Sequence, residues 1–77
     1  MPQPKPGNVF NHYKGGLYRV LTIARNTETD EDMVIYLDVL TPSKVWARPM
    51  DSWMKKASRD GETVERFRLV PGVELEN

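Results

Sequence analysis

Apolar residues in this chain fall in short runs, and the period of each run sets the element it predicts. Leu17 to Arg25 carries apolar side chains on both alternating faces, Leu17, Leu21 and Ile23 on one and Tyr18, Val20 and Ala24 on the other. A strand covered on both sides has that pattern. Asn26 to Asp32 (NTETDED) is polar, acidic and rich in turn formers, which predicts a hairpin connection. In the second predicted strand, Met33 to Leu40, one face holds Met33, Ile35, Leu37 and Val39 and the other Val34, Tyr36, Asp38 and Leu40. The first set is uniformly apolar and is the expected core stripe.

Thr41-Pro42-Ser43-Lys44 places proline where a turn uses its fixed φ, and leads into a short third strand, Val45 to Arg48, on which Trp46 and Arg48 point the same way. Pro49 cannot donate to a ladder, and Met50 to Ala57 sets Met50, Trp53, Met54 and Ala57 at helical spacing, so one or two amphipathic turns are expected. Asp60-Gly61 is a turn signal before a last strand, Thr63 to Val70. The prolines of PQPKPG predict a flexible proline-rich arm over residues 1–10, and residues 71–77 are expected to be a frayed acidic tail around a single domain, 11–70. Short strands, compact loops and one short helix predict a mainly β fold, a small antiparallel SH3-like barrel with one short helix. An open sheet packed on one helix is the alternative.

At 77 residues the chain has room for one modest core. The absence of cysteine excludes disulfides and thiolate metal sites, and a lone histidine excludes clusters of imidazole ligands, so neither metal nor cofactor is expected. MPQPKPGNVF lacks the apolar core of a signal peptide and no run is long enough to span a bilayer, which makes a cytoplasmic location the default and a membrane partner unexpected. Eleven basic and eleven acidic residues cancel, yet they are blocked along the chain. Residues 1 to 25 hold Lys5, Lys14, Arg19 and Arg25 with no acid; Asn26 to Asp38 hold Glu28, Asp30, Glu31, Asp32 and Asp38 with no base. Thr41 to Arg59 is basic again through Lys44, Arg48, Lys55, Lys56 and Arg59, and folding either brings the two basic blocks together or pairs each with acid.

The order HYKGGLYRVL, an acidic ETDED turn, MVIYLDV, VWARPMDSWM, a DG turn and VERFRLV resembles the small bacterial and phage domains grouped as domain-of-unknown-function family 1653. The resemblance runs from about Asn11 to Leu69. Its most specific pieces are Lys14-Gly15-Gly16 with Tyr18 and Val20, the Val34-x-Tyr36 pair, Trp46-x-Arg48-Pro49, and Arg66-Phe67. Trp53 stands where the family usually carries Phe. The resemblance implies an SH3-like fold and an uncharacterised function.

Lys14-Gly15-Gly16 fits two descriptions, a backbone nest that holds an anion with the ammonium, and a turn that needs positive φ before a strand. It is neither a Walker loop nor a Rossmann fingerprint. Trp46 and Arg48, with Tyr18 or Tyr36 beside them, offer a guanidinium next to rings, which can stack on a base and grip a phosphate or carboxylate. A buried Trp46 and an Arg48 paired with one of the Glu28 to Asp32 acids are the structural alternatives. His12 has no nucleophile or carboxylate at catalytic spacing, and the acidic cluster lacks the glycine and distal glutamate of a calcium loop. The function expected is a non-enzymatic binding module for an anionic, partly planar ligand, nucleic acid or nucleotide, through Lys14, Gly15, Gly16, Tyr18, Tyr36, Trp46 and Arg48. The alternative is a protein-interaction adapter or self-associating domain that uses the Trp53 and Met54 face or a strand edge.

Overall fold

In the computed structural model, which describes residues 3–74, the chain forms strands β1 (Asn8–His12), β2 (Leu17–Arg25), β3 (Asp32–Asp38) and β4 (Thr41–Pro49), helix α1 (Met50–Met54), and strands β5 (Ala57–Arg59), β6 (Glu62–Val64) and β7 (Phe67–Glu74). Five of them make one antiparallel sheet in the order β4-β3-β2-β1-β7, and β5 and β6 pair only with each other. The fold is mainly β with one short helix, as the patterning predicts.

The sheet is not closed into a barrel, which corrects the expected closure. Pro49 and α1 lead the chain away from the β4 edge, and the returning segment pairs with itself. Asp60 (φ 52°) and Gly61 (φ 81°) provide the two left-handed residues that a tight hairpin turn needs, so β5 and β6 are satisfied without joining the main ladder.

Two boundaries also move. Asn8 to Phe10, assigned by sequence to the arm, is the start of β1, with Val9 and Phe10 buried and the Gly7 N–H donating to the Val20 carbonyl at 2.8 Å. Pro4 is buried too, because Lys5 and Asn8 close a local turn through the Asn8 side chain. At the other end Pro71 to Glu74 extends β7, where Glu74 pairs with Asn8, rather than fraying. Residues 1–2 and 75–77 of the expected arm and tail lie outside the described residues.

The core lies on one face of the sheet. Phe10, Val20, Val34 and Tyr36 project from successive strands against Trp53 of α1 and Phe67 of β7. Trp53 stacks flat on Phe67, centroids 3.7 Å apart, and meets Phe10 and Tyr36 edge-on at 5.2 and 4.9 Å. The core stripe of β3 is therefore Val34 and Tyr36, not the Met33, Ile35, Leu37 and Val39 set. Register decides it: Val20 pairs with Tyr36, which puts the Tyr36 ring on the face that the helix covers. Leu37 is buried with Val9 on the opposite face, while Met33 and Ile35 are only half-buried.

Candidate functional site

The site begins at the turn from β1 to β2. Gly15 and Gly16 hold φ of 103° and 99°, values that side-chain-bearing residues rarely adopt. At Gly16 a Cβ would also lie 3.2 Å from the Tyr18 ring, so glycine is needed there twice over. The Gly15 N–H donates to the His12 carbonyl at 2.8 Å and the Lys14 N–H to His12 Nδ1 at 3.1 Å. Those two amides are spent inside the turn, and the Lys14 side chain is exposed beside it.

Around the turn, rings and cations interleave. His12 lies 4.9 Å from both Tyr13 and Phe67 and 6.2 Å from Tyr18. Lys14 and Arg66 each sit 5.7 Å from the Tyr13 ring centroid, and Arg48 is 5.5 Å from that of Phe67. Arg59 donates to the Tyr13 carbonyl at 2.9 Å, which ties the β5–β6 hairpin to the turn. The Tyr13 N–H donates in turn to the Arg66 carbonyl. The His12 pKa is lowered, first by partial burial of the ring and then by the charges of Arg48, Arg66 and Lys14. Lysine and arginine from both basic blocks thus act on one imidazole.

The acids of the turn from β2 to β3 are occupied elsewhere. Arg25 binds Asp30 at 3.2 Å and Asp32 at 3.1 Å, and the turn from β2 to β3 is otherwise folded on itself through Asn26, which receives the Glu28 and Thr29 N–H groups. Arg48 does not pair with that cluster. Its guanidinium reaches the Tyr36 hydroxyl at 3.5 Å, a long contact, and Ser52 Oγ at 3.2 Å. Among the described residues, Lys14, Arg48, Arg66 and Arg68 make no ion pair. Arg66 Nε is shielded from solvent without an acceptor, its guanidinium lying against Tyr13 instead.

Beside Lys14 the surface sinks into a depression of about 770 Å³, lined among others by Asn11, Tyr13, Lys14, Arg59, Glu65 and Arg68. It is a basic hollow with one carboxylate in its wall. Its lining comes from β1, the turn that follows it, β7 and the hairpin that Arg59 ties to that turn.

Of the residues singled out by sequence, Gly16, Tyr18, Tyr36 and Arg48 come together: Tyr18 packs on Gly16, Tyr18 and Tyr36 meet edge-on at 5.6 Å, and Arg48 touches Tyr36. Tyr36 is a core residue, whereas Trp46, paired with Tyr36 across the strands, is 48% exposed. Lys14 and Gly15, in the same turn as Gly16, line the depression. Trp53, offered as a docking face, is 2% exposed and cannot be one, because its indole fills the space between Phe10, Tyr36 and Phe67. Met54 packs half-buried against the same core. Sequence reasoning missed Tyr13, Arg66 and Arg68 and set His12 aside. The interleaved run His12-Tyr13-Lys14 and the Arg66-x-Arg68 repeat were the available signals.

The comparisons agree with this architecture. A model of the family described as protein of unknown function (DUF1653) matches residues 8–69. The crystal structure of a DUF1653 protein from Bordetella bronchiseptica is 32% identical, with a TM-score of 0.76 and 94% of each chain covered. A comparison with curated proteins finds no match. With that likeness spanning strand β1 through β7, this chain belongs to the DUF1653 family of proteins of unknown function.

Proposed function

We propose that this chain is a non-enzymatic binding module whose basic and aromatic surface takes an anionic, partly planar ligand, a nucleic acid or a nucleotide. One observation carries the proposal: cations from both basic blocks converge on the His12 and Tyr13 rings with no carboxylate paired to them among the described residues, in a chain of zero net charge. Folding that was indifferent to a ligand would gain by spreading those charges or pairing them. A phosphate among Lys14, Arg48 and Arg66 would relieve the repulsion, and exposed rings supply the stacking that bases use.

Arg48→Ala is a poor test, since Arg48 also supports Tyr36, Ser52 and Phe67. Lys14→Ala and Trp46→Ala remove exposed side chains and leave the core alone. Titrated with labelled oligonucleotide and with nucleotide, each variant is expected to keep the native melting curve and bind several-fold more weakly. Full affinity in both would defeat the proposal.

A protein partner is the second reading, favoured by the exposed edge strand β4 with Val45 and Trp46 uncovered and Leu40 at its turn. Strand addition there would give an adapter or a self-associating domain. Sedimentation that shows size rising with protein concentration would support it. Pro42 and Lys44 lie on the same edge and act against indiscriminate pairing.

A further inference from the structure

We infer that the ligand is single-stranded nucleic acid, its phosphates held by Lys14, Arg59 and Arg68 in the depression and its bases stacked on exposed rings. This deepens the binding proposal above and rests on it.

Two observations favour a strand. First, the cations of the depression come from three elements, Lys14 from the β1–β2 turn, Arg59 from β5 and Arg68 from β7, so successive phosphates of one strand meet more of them at once than a single phosphate does. Second, the hollow is built for charge and gives little enclosure. Small-ligand sites bury most of their ligand between apolar walls, whereas Lys14, Gly15, Arg59 and Arg68 are exposed and Val64 is the lone aliphatic side chain in the lining. A polyanion needs no enclosure, because its affinity comes from several phosphate contacts made at once. The helix α1, Met50–Met54, turns its Trp53 into the core and is not free to enter a major groove.

Electrostatics fixes the size of the effect. Each phosphate neutralised on a single strand contributes about −0.7 to the slope of log K against log salt, so contacts from Lys14, Arg59 and Arg68 predict a slope near −2. Arg68 has no ion-pair partner among the described residues and is exposed, so it can be removed cleanly. Arg59 holds Tyr13 and is left in place.

The test is fluorescence anisotropy with a labelled ten-residue oligothymidylate over a range of KCl, with thymidine monophosphate and a ten-base-pair duplex as competitors. The oligonucleotide should bind at least about tenfold more tightly than either competitor. Lys14→Ala and Arg68→Ala should each weaken it several-fold and make the salt slope shallower by about 0.7, while Lys55→Ala, an exposed lysine at the C-terminal end of α1 that does not line the depression, leaves both unchanged. Competition by the monophosphate or duplex as strong as by the single strand, or a slope indifferent to Arg68→Ala, overturns the inference and leaves the binding proposal standing. Failure of every one of these ligands to bind overturns both.

Discussion

At the turn from β1 to β2 single atoms decide the geometry. Gly15 and Gly16 share nearly the same positive φ, but a methyl group at Gly15 would meet nothing within 4 Å while one at Gly16 would press on Tyr18. Gly15→Ala should therefore cost about 1 kcal/mol of backbone strain, and Gly16→Ala about 2 kcal/mol or more, measurable by urea unfolding. Equal costs would mean that Tyr18 moves freely. His12 gives a pH test at the same turn. Its folded pKa lies below the ordinary value, so between the two the unfolded chain binds more protons. Stability is then highest above about pH 6.5, falls as the pH drops through the histidine range, and levels off below the folded pKa. Protonation would also remove the Nδ1 acceptor that holds the Lys14 N–H. His12→Gln should flatten this dependence, and bound phosphate should raise the His12 pKa by reversing the sign of its surroundings.

At the scale of elements, most strands were legible because their apolar runs were bounded by turn chemistry. Leu17–Arg25 and the Asp60-Gly61 hairpin turn appear where the pattern puts them. β1 was missed because Asn8 to His12 follows a proline-rich stretch and holds only Val9 and Phe10 as strongly apolar residues; its pairing with β2 and β7 is tertiary information. The core face of β3 was misjudged for a related reason. Counting apolar residues favoured the Met33 stripe, but a tyrosine buries its ring and keeps a polar tip, and the bulge between Val20 and Thr22 sets which stripe meets Trp53. The candidate site was half legible: Tyr18, Arg48 and Lys14 could be marked from the basic-aromatic interleaving, while Arg66 and Arg68 reach it only through the β1–β7 pairing. Trp53 in α1 supplies the prediction at this scale. Trp53→Ala should cost about 3–5 kcal/mol, comparable with the whole stability of a domain this small, and abolish the cooperative melt followed by circular dichroism. An unchanged melt would return Trp53 to the surface. Trp46→Ala should leave the melt in place.

Across the whole molecule, charge is sorted although it sums to zero. The acidic turn from β2 to β3 is occupied with Arg25 and with its own backbone, and the opposite end of the sheet gathers Lys14, Arg59, Arg66 and Arg68 about two rings. A polarised surface of that kind attracts an anion at one end only, and salt screens it over about 8–10 Å. The open sheet matters here, since the uncovered β4 edge leaves Trp46 available beside Arg48. The most direct test is an amide-resolved NMR titration of the labelled domain with short single-stranded DNA. Shifts concentrated at His12 to Tyr18, at Arg66 to Arg68 and at the Trp46 indole, with Glu28 to Asp32 silent, are the result expected. Silence at those positions at millimolar ligand, or changes confined to the β4 edge that grow with protein concentration alone, would contradict an anion-binding surface and identify a protein-docking edge instead.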